Sequence, residues 1–331
     1  MKIAIIRLSA LGDIIHSMIA LQFIKKKYPE CQIDWVVEQG FFEILNHNPD
    51  INNLLTVHLK SLKHNKTALF GEINKVRHYA KQNYDLVIDA QGLIKSAMTA
   101  RLLGKKTAGF DKDSVREKAA AWFYDIKLNC AYDKNTIDRN AFILSEPLGF
   151  NISSNDILNK QAFLFYKNED TVIYDYLRKD QKNIIFVIGS TWESRNYPIE
   201  KFINIANALK QNCLIIWGNE SEKQKAEFMA GQSHYIQVMP KLDLNSLKAL
   251  IAHADLLIGN DTGPTHIAWG LNRPSITLFG CTPISRVYQT DINKVLKSAS
   301  IVNPFKLNKQ DFSIQEIDEH EVIQLAELLL R

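Results

Sequence analysis

Short runs of apolar, often β-branched residues recur along this chain, and a segment with helical spacing follows most of them. Such runs include residues 3–6, 33–38, 183–188 and 255–260. Strands that alternate with helices at this spacing are typical of a doubly wound parallel sheet. The polar stretch 150–182 interrupts the alternation, which then begins again, so the sequence predicts two α/β domains joined by a linker.

The length and charge of the chain agree with this division. A chain of 331 residues is too long for one ordinary hydrophobic core. The net charge of +4 is uneven, because residues 1–150 carry 21 Lys and Arg against 16 Asp and Glu, whereas the remainder is close to neutral. The first half is therefore the better candidate for binding an anionic partner.

The cysteines and the apolar segments limit the class of protein. The four cysteines are scattered without a close pair, which argues against a zinc site or a disulfide framework and favours a reducing cytoplasm. No apolar run approaches the roughly 18 residues of a membrane span. The N-terminus carries Arg7 and Asp13 and lacks the pattern of a signal peptide, so we expect a cytoplasmic protein.

Residues 9–16 follow the first predicted strand and lead into a predicted helix. In an open parallel sheet, ligands bind at the carboxyl ends of the strands, where this stretch would lie. It is compatible with a loop that cradles phosphate. Considered alone, the stretch is more often a turn at Gly12 followed by Asp13 as a helix cap.

Polar side chains also follow predicted strands in the second half. Ser190 and Thr191, with Arg195 shortly before a helix that Pro198 begins, suit a phosphate or diphosphate, although a capping loop has the same residue types. Glu222 follows another strand, where a carboxylate can accept hydrogen bonds from ribose hydroxyls. Its structural alternative is to offset the dipole of the helix that it begins.

Residues 260–266 bring a carboxylate, hydroxyls and an imidazole together within seven residues. Asp261, Thr262 and His266 directly follow a predicted strand, and the backbone of Gly263 opens the next helix. Loops with only a structural role rarely need so many polar groups, so this segment predicts a functional site. His266 considered alone would more often be a structural histidine.

The first half has its own polar residues at predicted strand ends. Asp13 and His16 are one helical turn apart, and Gln91 follows a later strand. Basic side chains lie in loops just after strands, which suggests an anion site, although such side chains are most often only solvated. The basic candidates are Lys60, Lys63, His64, Lys95, Arg116 and Arg139.

Together these motifs resemble those of the ADP-heptose:lipopolysaccharide heptosyltransferases, and within that family the branch that adds the first heptose. The matching segments keep their order over nearly the whole chain: residues 7–16, 34–38, 89–96, 217–218 and 260–266. The resemblance implies the GT-B fold, in which two Rossmann-like doubly wound parallel-sheet domains face a central cleft.

The resemblance also implies how the domains divide the work. Residues 1–160 would form an N-terminal acceptor-binding domain, and residues 161–315 a C-terminal ADP-heptose-binding domain. Residues 316–331 would form a final helix that crosses back and packs on the N-terminal domain.

The reaction implied by the resemblance is inverting transfer of L-glycero-D-manno-heptose from ADP-heptose to the first Kdo of Kdo-lipid A. Asp13 would be the catalytic base, aimed at the acceptor by the tight turn that Gly12 permits. Donor binding would fall to Ser190, Thr191, Arg195, Glu222, Met239, Pro240, Asp261, Thr262, Gly263 and His266. Acceptor binding would fall to Ser9, Gly12, His16, Lys60, Lys63, His64, Gln91, Lys95, Arg116 and Arg139.

Some features differ from the family pattern or leave alternatives open. Arg195 stands where the family usually has a lysine. We expect no metal and no cofactor, and we expect no nucleic-acid partner. The lipid acceptor implies peripheral contact with the inner face of the inner membrane. The alternatives are a sibling enzyme that adds the second heptose and a nucleotide-sugar-binding protein without turnover.

Overall fold

The computed structural model describes residues 1–59 and 69–331. The chain forms two compact units, Met1–Phe165 and Tyr166–Arg331. The boundary lies within the predicted linker and close to the predicted division after residue 160. Each unit is built on one six-stranded sheet in which all neighbouring strands are parallel.

The first unit alternates strands and helices. Its strands are β1 (Lys2–Ile6), β2 (Gln32–Glu38), β3 (Asn53–Val57), β4 (Leu86–Asp89), β5 (Thr107–Phe110) and β6 (Ile126–Leu128). Its helices are α1 (Leu11–Lys27), α2 (Phe42–Leu45), α3 (Leu69–Ala80), α4 (Ile94–Leu103), α5 (Thr136–Ser145) and α6 (Ser154–Leu158).

The strand order of the first sheet is β3-β2-β1-β4-β5-β6. The order reverses beside β1, which pairs with β2 on one side and with β4 on the other. At such a switch point the loops after the two central strands diverge and leave a crevice at the carboxyl edge of the sheet. The predicted segments around Asp13 and Gln91 follow β1 and β4, so both lie at this crevice.

The second unit repeats the same pattern. Its strands are β7 (Asn183–Val187), β8 (Asn212–Ile216), β9 (Ile236–Val238), β10 (Leu256–Asn260), β11 (Ser275–Phe279) and β12 (Asn293–Lys297). Its helices are α7 (Ile173–Tyr176), α8 (Ile199–Leu209), α9 (Glu220–Gln232), α10 (Leu244–His253), α11 (Gly263–Gly270) and α12 (Glu319–Leu329).

The strand order of the second sheet is β12-β11-β10-β7-β8-β9, so its switch point lies between β7 and β10. Both strands are fully buried, because helices cover the two faces of a parallel sheet. This burial explains their continuous apolar sequences. The loops that begin at Ile188 and Asp261 leave the sheet at this switch point.

The final helix, α12, packs in the second unit. Val322 and Ala326 are fully buried in the same core cluster as Phe202 of α8. Tyr197 Oη donates to the carbonyl oxygen of Ile317 at 3.0 Å, just before α12 begins. The structure therefore counts these residues with the second unit, whereas the sequence set 316–331 apart. Their predicted contact with the first domain stays a prediction.

Two of the four edge strands, β6 and β12, were not predicted. Edge strands are covered less completely, and β12 contains Lys294 and Lys297, so neither forms an apolar run. Over residues 1–59 and 69–331, no helix combines the length and the apolar character needed to cross a membrane.

We expect Gly109→Ala to lower the free energy of unfolding by about 1–3 kcal/mol, because a side chain there overfills the core. A Cβ on Gly109 would lie 2.3 Å from Cε2 of Tyr124. Urea denaturation measures the change. Gly231→Ala in α9 is the matched control, since its Cβ would meet open space. It should leave stability unchanged or raise it by up to about 1 kcal/mol. Equal effects of the two substitutions would contradict the prediction.

Candidate active site

An open cavity of about 310 Å³ lies at the carboxyl edge of the second sheet. Five of the predicted donor residues line it: Ser190, Thr191, Glu222, Pro240 and Thr262. Apolar side chains complete the wall, among them Ile216, Leu242 and Leu247. A cavity with an apolar wall and a few convergent polar groups is the usual form of a small-ligand site.

Asn260, the last residue of β10, joins the loops on the two sides of the switch point. Its Nδ2 donates to the carbonyl oxygen of Ile188 at 2.9 Å, and its Oδ1 accepts from Tyr197 N at 3.0 Å. Thr265 Oγ1 donates to the carbonyl oxygen of Asn260 at 2.7 Å. These bonds fix both ends of the loop that carries Ser190 and the start of α11.

Asp261 is the centre of a buried polar cluster at the same edge. Its Oδ2 lies 2.9 Å from Arg195 Nη2 and accepts a hydrogen bond from Thr282 Oγ1 at 2.8 Å. Its Oδ1 lies 3.3 Å from His266 Nε2. Burial would raise the pKa of Asp261. The hydrogen bond with His266 and the charges of Arg195 and Arg286 outweigh burial and hold the pKa well below its usual range.

Glu222 lies in the first turn of α9, and hydrogen bonds fix its carboxylate. Oε2 accepts from Gly218 N at 2.7 Å, and Oε1 accepts from Asn219 Nδ2 at 2.8 Å. A Cβ on Gly189 would lie 2.2 Å from this carboxylate, so only glycine permits the approach. Each carboxylate oxygen keeps a lone pair for a ligand hydroxyl.

The switch point of the first sheet holds a second carboxylate. Asp13, in the first turn of α1, lies with its Oδ1 at 3.2 Å from Arg7 Nη2. Its Oδ2 accepts from Ala10 N at 3.4 Å. The Arg7 side chain is buried, whereas 35% of the Asp13 side chain is exposed. The ion pair therefore orients a carboxylate that a ligand can still reach.

Gln91 connects the loops after β1 and β4. Its Oε1 accepts from Leu8 N at 2.7 Å and from Ser9 N at 3.3 Å. Arg7 Nη1 also donates a hydrogen bond across the switch point, to the carbonyl oxygen of Ala90. The backbone that leads to Asp13 is therefore held from the β4 side of the crevice.

The carboxylate of Asp89 holds the loop after β4 through hydrogen bonds. Its Oδ1 accepts from Gln91 N at 2.8 Å, and its Oδ2 accepts from Ser96 Oγ at 2.8 Å and Tyr124 Oη at 2.6 Å. Burial raises the pKa of this carboxyl, although these hydrogen bonds oppose the shift. Asp89 is fully buried, so it stabilises the loop and does not contact a ligand.

Comparison with known proteins identifies the family. The model of glycosyltransferase family 9 (heptosyltransferase) matches residues 73–315. Lipopolysaccharide heptosyltransferase 1 of Campylobacter coli is 37% identical, and the match covers 99% of both chains. The protein of the same name in Pseudomonas aeruginosa is 30% identical over 85% of this chain and 79% of its own. The chain belongs to glycosyltransferase family 9.

The predicted fold class and enzyme class are thereby confirmed. The structure of E. coli heptosyltransferase WaaC with ADP has a TM-score of 0.82 to this chain, at 23% identity, and covers 99% of this chain and 100% of its own. WaaC with ADP-2-deoxy-2-fluoro heptose has a TM-score of 0.79 at 24% identity, and covers 99% of both chains. These likenesses show a GT-B fold. The family membership shows that this protein is a glycosyltransferase.

The structure of this family 9 protein brings the predicted donor residues to one sheet edge, with some differences in detail. Pro240 lines the cavity, whereas Met239 does not. Met239 is buried, and its carbonyl oxygen accepts a hydrogen bond from Trp217 Nε1 at 2.7 Å. His266 is also buried and lies beside Asp261, outside the cavity wall. Gly263 is the first residue of α11.

The predicted acceptor residues are brought together only in part. Ser9 and Gln91 lie at the switch point, and Lys95 Nζ lies 3.9 Å from Glu38 Oε1 at the same edge. Arg116 is exposed. Three of the predicted basic residues lie outside the described part of the chain: Lys60, Lys63 and His64.

Arg139 has a different role from the predicted one. Its guanidinium donates to the carbonyl oxygens of Cys130 at 2.6 Å and Ser114 at 2.7 Å, and it lies 4.6 Å from the ring centroid of Phe110. Burial lowers the pKa of this arginine. The side chain holds two loops together and does not present a free cation to an acceptor.

Gly12 and His16 also differ from expectation. The helix begins at Leu11, so Gly12 lies inside its first turn, and its φ is not positive. The turn before the helix is therefore made by the residues ahead of Gly12. His16 is buried on α1. Neither residue needs a direct role in catalysis to explain its position.

Sequence reasoning missed two residues that hold the functional carboxylates. Arg7 pairs with Asp13, and Thr282 bonds to Asp261 from the loop after β11. A charged residue directly after a fully apolar strand was a usable signal for Arg7. No local pattern marks Thr282, which is 21 residues from Asp261.

We expect the stability contributed by Asp261 to depend on pH. Because the pKa of Asp261 is lowered by folding, its contribution is present above the ordinary value of 3.8 and is lost as pH falls below it. Asp261→Asn should destabilise the protein by about 2–4 kcal/mol at pH 7. The difference from wild type should shrink below about pH 4, as measured by urea denaturation. Asp180→Asn, at an exposed site, should have little effect at any pH. A pH-independent difference for Asp261→Asn would contradict the assignment.

Proposed function

We propose that this glycosyltransferase transfers L-glycero-D-manno-heptose from ADP-heptose to the Kdo of Kdo-lipid A during assembly of the lipopolysaccharide inner core. Two observations carry the proposal: a partly exposed, oriented carboxylate at the switch point of the first sheet, and a cavity of about 310 Å³ with convergent polar groups at the switch point of the second. The name of the Campylobacter coli relative, which matches over the full chain, supports the same reaction. The lipid acceptor places the reaction at the inner face of the inner membrane.

The second unit provides groups for each part of the donor. The carboxylate of Glu222 accepts hydrogen bonds from the ribose hydroxyls, and Pro240 borders the adenine. Ser190 and Thr191 donate to the diphosphate, as do backbone N–H groups at the start of α11, where the helix dipole favours an anion. Arg195 adds a positive charge that is fixed by Asp261.

The first unit provides the base. As the acceptor hydroxyl oxygen attacks the anomeric carbon, its proton passes to the carboxylate of Asp13. The new carbon–oxygen bond forms while the bond to the diphosphate breaks, and ADP leaves with the electron pair. Attack opposite the leaving group inverts the configuration. Arg7 keeps the carboxylate oriented throughout.

We expect Asp13→Asn to lower the rate of heptose transfer by about 10²–10⁴-fold, because the amide cannot take the proton. ADP-heptose binding, measured by calorimetry, should stay within about twofold of wild type, because the donor groups lie in the second unit. Asp113→Asn, an exposed carboxylate of the first unit, is the control and should transfer normally. Normal transfer by Asp13→Asn would show that Asp13 is not the base.

The same assay separates the alternatives. Kdo-lipid A with and without the first heptose should be compared as acceptors, and we expect the heptose-free acceptor to be preferred. Preference for the heptosylated acceptor would identify an enzyme that adds the second heptose. Binding of ADP-heptose without transfer to either acceptor would indicate a binding protein.

We further propose that transfer needs no metal ion, because Arg195, the hydroxyls and the N-terminus of α11 meet the diphosphate charge. Within the described residues, no group of three or more His, Cys, Asp and Glu is arranged to hold a metal. The rate should therefore be unchanged after dialysis against EDTA. A loss of rate that Mg²⁺ restores would overturn this part of the proposal.

A further inference from the structure

Helix α4 carries an exposed apolar stripe. Ile94, Met98 and Leu102 follow a four-residue spacing, which places them on one side of a helix. Their exposed fractions are 40%, 48% and 36%. The inward side is formed by residues such as Ala97 and Ala100, which are fully buried. The outer stripe is therefore not part of the core of the first unit.

Two more exposed aromatic side chains lie on segments that pack against α4. Trp122, which is 81% exposed, lies in a short 3-10 helix, Lys118–Phe123, that packs against α4. Phe70, which is 76% exposed, lies in the first turn of α3, which also packs on α4. We call these five residues, Phe70, Ile94, Met98, Leu102 and Trp122, the apolar face.

The segment that carries most of the apolar face is basic. Residues 94–125 contain seven Lys and Arg against four Asp and Glu, a net charge of +3, and one of the cations, Arg101, pairs with Asp125 at 3.0 Å. Lys105, Lys106, Arg116 and Lys118 are all exposed. Aromatic and aliphatic side chains among cations match an anionic lipid surface. A second copy of the chain would bring like charges together.

The apolar face begins at the sheet edge that carries the base. Ile94 is the first residue of α4 and comes three residues after Gln91, which holds the loop before Asp13. Ile94 N donates to Glu117 Oε2 at 2.7 Å, which ties the basic loop around Arg116 to the same end of the helix. A surface docked on this face would therefore lie next to the predicted acceptor site.

We propose that the apolar face and the lysines near it dock the first unit onto an anionic lipid surface. Trp122 sits among the headgroups, and Met98 and Leu102 enter the boundary of the acyl chains. Docking presents a lipid-borne acceptor at the carboxyl edge of the first sheet. Only the identity of that acceptor rests on the proposed function.

Co-sedimentation with vesicles tests the docking itself. Wild type should bind vesicles of phosphatidylethanolamine and phosphatidylglycerol, and the double variant Trp122→Ser, Met98→Ser should bind at least about tenfold more weakly. Phe228→Ser, a 54% exposed aromatic on α9 of the second unit, is the matched control and should bind as wild type does. Since these side chains are exposed, the melting temperatures should be unchanged.

Three results would overturn the proposal. The first is binding that the double variant retains in full, and the second is no binding by wild type. The third is a wild-type dimer in analytical ultracentrifugation that the double variant dissociates, which would make the face a contact between copies.

The contribution of the lysines near the apolar face is tested separately. Lys106→Glu with Lys118→Glu should weaken binding to phosphatidylglycerol-containing vesicles by about fivefold or more per residue. The two changes should leave the weak binding to phosphatidylcholine vesicles unaltered. Equal losses of binding to both kinds of vesicle would contradict an electrostatic contribution from these lysines.

Activity distinguishes failure of docking from failure of the proposed function. The double variant should transfer heptose to a Kdo acceptor without acyl chains at the wild-type rate, and should lose rate on vesicle-embedded Kdo-lipid A. If wild type binds vesicles but transfers to neither acceptor, the proposed function fails and the docking surface stands. If the variant matches wild type on both acceptors, the docking surface has no role in presenting the acceptor.

Discussion

In each sheet, one amide side chain crosses the point where the strand order reverses. Gln91, after β4, accepts hydrogen bonds from the backbone of Leu8 and Ser9 after β1. Asn260, at the end of β10, bonds to both ends of the loop after β7. Backbone groups in a crevice must be paired, and these amides pair them without filling the space that a ligand needs. The orientation of the loop that leads to Asp13 and of the loop that carries Ser190 therefore depends on these two side chains.

The two units hold an aspartate at the same kind of switch point, but the two carboxylates differ in their exposure to solvent. Asp13 is partly exposed and pairs with a buried arginine, so a ligand can reach its oriented carboxylate. Asp261 is fully buried, and its pKa is held low by His266 and Arg195. It therefore acts as a fixed negative charge that positions cations. Exposure, more than residue type, separates the carboxylate that a ligand can reach from the carboxylate that only positions cations.

The sequence predicted the central strands and the contiguous polar segments, because both are local patterns. Full burial on two faces makes strands such as β7 and β10 continuously apolar, whereas the edge strands β6 and β12 lack this signal. Asp261 and His266 could be found because they share one loop. Thr282 could not, since only the fold brings it to Asp261, and Arg139 was misjudged because burial among carbonyl groups leaves no trace in the sequence.

Helix α4 shows how one element can serve both the core and a surface. Its buried residues are small: Ala97 packs with Ala120 of the 3-10 helix that carries Trp122, and Ala100 packs in a second core cluster of the first unit. A helix that packs only on the core of its own domain is normally polar on its solvent-facing side. The outer side of α4 instead carries Ile94, Met98 and Leu102 beside a concentration of positive charge. Since the fold of the unit does not require these residues outside, an external apolar surface with negative charge gives the simplest physical reason for their presence.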